Sequence, residues 1–433
     1  MKSILPLIGA AGLWLSQSAG ADVLSASPLP VAVPSAAGIT ESGLDPLHRF
    51  MQSTTDSGDY LGAVTLIARD GKLVDWRAFG HRDLARKSPL QPDAIFRIYS
   101  MTKTVTSVAV LMLMEEDRFK LDDPISNHLP EFGKMQVFAG GTANAPRLRP
   151  ATRPITIRQL LTHTSGFAVD AKEAPEAVKL LERARLHEST DLQTYCARLS
   201  RLPLAVDPGT RFTYDGVQIV VLSRLVEVAA NMSFEKFLQQ RIFQPLRLKD
   251  TGFSVPAEQR DRIVEMSSTD KDGRLIPAPE YASKRAGEMI NPYYSGAGGL
   301  YSTAADYARF AQMLLNGGEL DGASILRRKT VELMMTNQLS DLEVAPGLEP
   351  GEFRAGEGFG LGGYVVLDAA RRGREGSVGQ FGWFGAASTY YMIDPKERLI
   401  ALLFMQHLPQ GLPHDPPKIS ARFYNLVHHS LAQ

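Results

Sequence analysis

The 433-residue chain carries 47 Lys and Arg against 47 Asp and Glu, so its formal net charge is zero. That balance excludes a basic surface for nucleic acid and an acid-rich disordered chain, and the single cysteine, Cys196, excludes an internal disulfide framework. With 44% hydrophobic and 22% charged residues, the chain has an ordinary globular composition, with room for two or three domains or one large enzyme with an inserted lobe.

In chain order, Lys2, the apolar run 4–15 and Ala19-Gly20-Ala21 have the charge, length and small-x-small ending of a signal peptide over residues 1–21. The expectation is an exported protein, periplasmic or secreted, cut before Asp22. The run is short for a membrane span, and no cysteine follows the cleavage site to carry a lipid, so no stable membrane anchor is expected. Residues 22–40, rich in Ser, Pro, Ala and Val without a period, predict a flexible leader. Asp45-Pro46 predicts a helix start running to about Gln52. The β-rich runs 63–68 and 72–79 flank Asp70-Gly71 and predict a hairpin.

Phe96-Arg-Ile-Tyr-Ser100-Met-Thr-Lys103 predicts an extended segment entering a helix that is apolar nearly all round, hence deeply buried. Residues 121–246 carry mostly helical signals, at 157–161, 176–186, 192–199 and 217–230. A further helix is expected over 303–316, strands at 363–366, 388–393 and 399–405, and a closing helix over 417–431. This order predicts an α+β fold in which an antiparallel sheet is assembled from both ends of the chain, with a helical lobe between.

Ser100 and Lys103, three residues apart, share one face of a helix, and a neutral amine beside a hydroxyl can take its proton. Ser-x-x-Lys also occurs at Ser233/Lys236 and Ser268/Lys271. Ser233 directly precedes Phe-Glu-Lys-Phe-Leu, the place of a helix cap, and Ser268 opens a polar cluster expected to be a loop. Gly358-Phe-Gly360-Leu-Gly-Gly363 matches a dinucleotide fingerprint as a string, but a strand is expected after it where a helix is needed. No Gly-x-Ser-x-Gly elbow, His-Glu-x-x-His or Walker loop is present. His163 has no carboxylate partner suggested nearby and is expected to be structural, and Cys196 a passive thiol.

Four stretches then fall in order: Ser100-Met-Thr-Lys103; Pro208-Gly-Thr-Arg-Phe-Thr-Tyr214-Asp-Gly216; Gly296-Ala-Gly-Gly-Leu-Tyr-Ser-Thr303, leading into the helix of Asp306 and Phe310; and Gly379-Gln-Phe-Gly-Trp383-Phe-Gly385-Ala386. With Leu160-Leu-Thr-His-Thr-Ser-Gly166 and 245–253, they resemble the serine β-lactamase and penicillin-binding-protein superfamily over about residues 40–430. Within it the chain is most similar to the class C branch and its family VIII carboxylesterase relatives. The resemblance implies a β-lactamase/transpeptidase-like fold with a sheet domain of residues 41–99 and 295–433, a mostly helical domain of 100–294, and the active site between them.

The resemblance also implies roles. Ser100 is the nucleophile, Lys103 its base, and Tyr214 a partner in proton transfer to the leaving group and in deacylation. The backbone N–H groups of Ser100 and Ala386 form the oxyanion hole, Trp383, Phe384 and Gly385 contact substrate, and no metal or organic cofactor is needed. A free lysine titrates near 10.4, so a lysine base near neutral pH needs surroundings that favour its neutral form by about 4 kcal/mol, as burial and a helix N-terminus do.

Two departures point to a substrate. Gly216 stands where the β-lactamases carry the Asn of Tyr-x-Asn, and Trp383-Phe384-Gly385 stands where they carry Lys-Thr-Gly. Losing the Lys removes the charge that binds a β-lactam carboxylate, which favours small-molecule, short-chain neutral esters. Phe384, bulkier than the usual middle residue, is expected to narrow or reshape the acyl pocket. The alternatives are a β-lactamase or D-amino-acid-specific peptidase and, of another class, a catalytically weak penicillin-binding or cell-wall sensor protein.

Overall fold

The computed structural model describes residues 27–167, 175–283, 286–339 and 355–432, and the expected signal peptide lies outside them. The hairpin forms from β1 (Gly62–Arg69) and β2 (Lys72–Gly80), turning at Asp70 and Gly71, whose positive φ values of 52° and 75° suit a two-residue hairpin. The C-terminal part adds β3 (Glu357–Phe359), β4 (Tyr364–Val366), β5 (Phe381–Gly385), β6 (Thr389–Asp394) and β7 (Leu399–Met405). All pair antiparallel in the order β3-β4-β5-β6-β7-β1-β2. The two ends of the chain therefore meet where Ala63 faces Met405 and Arg69 faces Leu399.

β7 is apolar at every position, a pattern that requires cover on both faces of a sheet. Ile400, Leu402 and Phe404 enter the core shared with α2 (Thr102–Glu115) and α4 (Ala304–Leu315). Leu399, Ala401, Leu403 and Met405 enter a second core under α1 (Glu41–Asp56) and α5 (Ser420–His429). α3 (Val217–Ala230) packs on α2 in the helical part of the chain.

Several local expectations are corrected. α1 begins at Glu41 rather than Asp45, because the Thr40 hydroxyl accepts from the Gly43 N–H at 3.1 Å and caps it, leaving Pro46 inside the helix. The leader is not free from residue 28 on. Arg309 donates to Pro28 O, Ala32 N–H to Leu73 O and Leu73 N–H to Pro30 O, and Leu29 is buried.

The helical stretch contains a hairpin, Gln136–Thr142 with Ala145–Pro150. Its second strand is exposed and carries Pro146 and Pro150, so it has neither the alternation nor the composition of a strand. Ser268 is not in a loop. It is buried in the short strand Ser267–Thr269, and its hydroxyl donates to Leu408 O at 2.8 Å. Ser233 caps its helix, accepting from Lys236 N–H at 3.2 Å, and Gly358–Gly363 makes the tight β3–β4 connection with no helix after it.

Candidate active site

The Phe96–Arg97 strand, paired with Tyr301–Ser302, delivers the chain into a single 3₁₀ turn, Tyr99–Met101, from which α2 continues. Tyr99 takes a left-handed conformation (φ 41°), the bend that presents Ser100 at the mouth of the helix. Ser100 is half-buried, whereas Lys103, one turn on, is only 4% exposed. Lys103 Nζ lies 3.0 Å from Ser100 Oγ and donates to Ala297 O at 2.6 Å. Among the described residues no carboxylate forms an ion pair with it.

α2 is fixed by its buried hydroxyls. Thr104 donates to Gly362 O (2.9 Å) and meets Tyr391 OH (2.8 Å), and Thr106 donates to Gly296 O (2.9 Å). The last bond ties the nucleophile helix to the glycine-rich loop that carries Ala297. The sequence marks that loop as part of the pattern but assigns Ala297 no role, since a backbone carbonyl leaves no residue-type signal.

Tyr214 is held from behind by the 162–166 turn. Thr213 N–H donates to His163 O (2.8 Å), Asp215 N–H to His163 Nδ1 (3.3 Å), and Gln218 Nε2 to Thr213 O (3.0 Å). Ser165 Oγ donates to Gln218 Oε1 (2.5 Å) and closes the clamp. The His163 ring lies 4.6 Å from the Tyr214 ring and makes no hydrogen bond to Ser100 or Lys103. Burial first, and the Lys103 charge second, hold its pKa well below the usual histidine value, so it packs as a neutral ring.

The Tyr214 ring lies under Lys103 Nζ at 5.0 Å, and its hydroxyl accepts from Trp383 Nε1 at 3.0 Å. No hydrogen bond joins Tyr214 to Ser100 directly; such contacts often tighten only with substrate present. Gly216, beside it, would direct a Cβ toward Ala297 at 3.4 Å, so the side chain missing here would have faced the Lys103 corner.

The end of β5 completes the site. A Cβ on Gly385 would overlap Ile98 O and Thr389 Oγ1, so only glycine lets this strand approach the turn that carries Ser100. The N–H groups of Ser100 and of Ala386 have no partner among the described residues, as an oxyanion hole requires of its donors.

Two of the expected substrate contacts also have partners within the protein. Trp383 is 3% exposed and spends its N–H on Tyr214, so it organises the tyrosine more than it meets a ligand. Phe384 is packed between Trp383 (centroids 4.9 Å, stacked) and Tyr390, its cross-strand partner, which belongs to the core under α1 and α5. Its bulk is therefore absorbed by packing at the strand end. Trp383→Phe keeps an aromatic ring but removes the donor to Tyr214. The expected result is a kcat loss of about 10- to 100-fold with KM little changed, since a charge-developing hydroxyl loses one hydrogen bond. Steady-state kinetics of the variant check this.

His407 sits behind the Ala386 turn: its backbone N–H donates to Ala387 O (3.1 Å) and its carbonyl accepts from Ser388 Oγ (2.9 Å). Burial pushes its imidazole down to about 4. The unfolded chain, with histidine near 6.5, therefore binds more protons between pH 6.5 and pH 4, and stability present above pH 6.5 is lost on acidification through that window. At pH 5 the loss amounts to about 2 kcal/mol from this group. Thermal midpoints at pH 7.5 and pH 5 should show the drop, and His407→Gln should make it smaller.

A serine hydroxyl, a buried amine, a tyrosine and two N–H groups without partners among the described residues converge between the end of β5 and the start of α2, on an α+β scaffold. The Beta-lactamase family profile matches residues 47–421, and the chain belongs to that family, within the β-lactamase/transpeptidase-like superfamily. Protein Rv1367c of Mycobacterium tuberculosis is 34% identical over 372 residues, 84% of this chain and 90% of its own length. Esterase EstB of Burkholderia gladioli is 27% identical over 373 residues, 81% of this chain and 87% of its own. The unliganded, selenomethionyl structure of simvastatin synthase (LovD) from Aspergillus terreus superposes with a TM-score of 0.74 at 26% identity, covering 91% of this chain and 98% of LovD. The chain is a hydrolase of this family.

Proposed function

We propose that the protein is a serine carboxylesterase that works through an acyl-enzyme on small or short-chain esters. Lys103 takes the Ser100 proton as Oγ attacks the ester carbonyl, and the Ser100 and Ala386 N–H groups hold the resulting oxyanion. Tyr214 passes a proton to the departing alkoxide; water, activated by the same pair, then releases the acid and restores Ser100. The observation that carries this reading is the Trp383 indole, 3.0 Å from Tyr214 OH, at the position where the β-lactamases of this branch carry a lysine. An indole N–H positions the tyrosine without offering a cation to a β-lactam or peptide carboxylate, and the similarity to an esterase agrees with it.

Turnover of p-nitrophenyl butyrate, nitrocefin and a D-Ala-D-Ala peptide by the wild type tests the assignment. The ester should exceed both others by at least about 100-fold in kcat/KM, the discrimination expected when a charged substrate group lacks its partner. Rapid nitrocefin turnover with negligible esterase activity would instead mark a β-lactamase, and slow penicillin labelling without product a penicillin-binding protein. We also propose that the chain is exported; the mature protein recovered from outside the cytoplasm would then begin at Asp22.

A further inference from the structure

The N–H group of Ser100 belongs to the peptide it shares with Tyr99, so the Tyr99 backbone decides where that oxyanion donor points. At φ 41° this backbone is left-handed, a conformation that crowds the Cβ of any residue but glycine. Among the described left-handed positions Tyr99 is the only one with a phenyl or indole ring; the other non-glycine ones are Asp, Asn, Arg, His and Ser. Two of those, His163 and Ser388, lie in the turns that hold Tyr214 and Ala386. Bends of this kind persist where neighbouring contacts impose them, and they gather at functional sites.

The chain is pinned on both sides of the bend. Ile98 N–H donates to Leu300 O at 3.0 Å, and Met101 O accepts from Tyr307 OH at 3.0 Å. Gly298 lies against the bend itself: a Cβ there would meet the Tyr99 carbonyl carbon at 3.5 Å and its Cα at 3.6 Å. The Tyr99 side chain, together with Leu408, packs partly buried on a small apolar core of Met266, Ala278, Ala282 and Ala387, separate from the two large cores. Its phenol donates to Met266 Sδ at 3.6 Å, and burial holds its pKa above the ordinary tyrosine value, so it is neutral there. Ala387 is peptide-bonded to Ala386, whose N–H is the second donor, and its carbonyl accepts from His407 N–H at 3.1 Å. The ring therefore reaches from one half of the oxyanion hole to the core on which the other half is mounted.

We propose that Tyr99 is a positioning residue for the oxyanion hole: its ring, seated on the core of Met266 and Ala387, holds the left-handed bend that aims the Ser100 N–H at the same point as the Ala386 N–H. This rests on the oxyanion hole of the proposed esterase and adds the group that keeps it aligned. Glycine would fit the bend without steric cost but would leave the peptide free to turn, whereas an anchored ring does not. Tyr99 acts through the Ser100 amide, so losing the ring weakens the transition state and spares the bound ester.

The test compares Tyr99→Phe, Tyr99→Leu and Tyr99→Gly with the wild type in three measurements. These are p-nitrophenyl butyrate kinetics, inhibition by butylboronic acid, which adds to Ser100 as a tetrahedral oxyanion mimic, and thermal melts. Tyr99→Phe keeps the ring and should stay within about threefold of the wild type. Tyr99→Leu and Tyr99→Gly should lose about 10- to 100-fold in kcat with KM little changed, and the boronate Ki should rise in step. Glycine is the sharper case, because it adopts φ 41° freely. Wild-type kcat in either of these two variants would show that the bend needs no ring and would overturn the proposal. It is equally overturned if activity falls only in step with the folded fraction, or if kcat falls while boronate affinity does not. No ester turnover and no boronate binding by the wild type would overturn the esterase reading as well; wild-type turnover leaves that reading standing whatever the variants do.

Discussion

Lys103→Ala should lower esterase kcat/KM by at least about 10⁴-fold while moving the thermal midpoint by only a few degrees. The two readouts separate on the proposed mechanism, in which the lysine serves as the base and not as a structural ion-pair partner. Its Nζ is committed to Ser100 Oγ and Ala297 O, it is nearly inaccessible, and no described carboxylate pairs with it. Truncation removes the group placed to accept the Ser100 proton. It also removes a desolvated amine, a relief that offsets the hydrogen bond lost by Ala297 O, itself worth about 1–3 kcal/mol. Lys103→Arg should fail to rescue activity, because a guanidinium does not deprotonate and cannot serve as a base. A variant that loses activity only in proportion to its loss of fold would show the lysine to be structural.

Gly385→Ala should have the second-largest effect, a kcat loss of about 10²- to 10³-fold, the range seen when one oxyanion donor is misplaced. The added methyl overlaps a backbone carbonyl, Ile98 O, and the Thr389 hydroxyl; the carbonyl belongs to the chain just before Ser100 and cannot step aside independently. Relief therefore pushes the end of β5, and the Ala386 N–H with it, away from the Ser100 turn. Overpacking of this kind costs about 1–3 kcal/mol, so the midpoint should fall as well. Kinetics and a melting curve on the same sample check both, and an unchanged kcat would mean that the Ala386 N–H is not part of the oxyanion hole.

Ser100 stands out among the three Ser-x-x-Lys strings because the other two can be assigned locally: Ser233 by its capping position, Ser268 by its polar surroundings. Ser268 is set aside for a different physical reason than a loop would give. It is buried in a strand whose three positions are too few to show a period, and its hydroxyl is spent on Leu408 O. The sheet is legible because β7 and β1 are apolar beyond what one covered face needs. β3 is not, because three residues ending in Gly-Phe carry no strand signal. The docked part of the leader is equally silent, since its anchors are backbone hydrogen bonds and one arginine from far along the chain.

Within the site the same division holds. Ser100, Lys103, Tyr214 and Trp383 can be found by type and order, and the structure brings these four together. Ala297 acts through a carbonyl, so it carries no residue-type signal. The family resemblance implies Trp383 at the substrate, and the register that pairs it with Tyr391 turns its ring inward, onto Tyr214.

The central claim is that Ser100 carries the acyl group. Rapid mixing of the wild type with a p-nitrophenyl ester, quenching in acid and measuring the intact mass tests it directly. The predicted result is a mass increase equal to one acyl group, mapped by peptide digestion to Ser100 and absent from Ser100→Ala, which should not turn over the ester. An adduct on another residue, or undiminished turnover by Ser100→Ala, would contradict it.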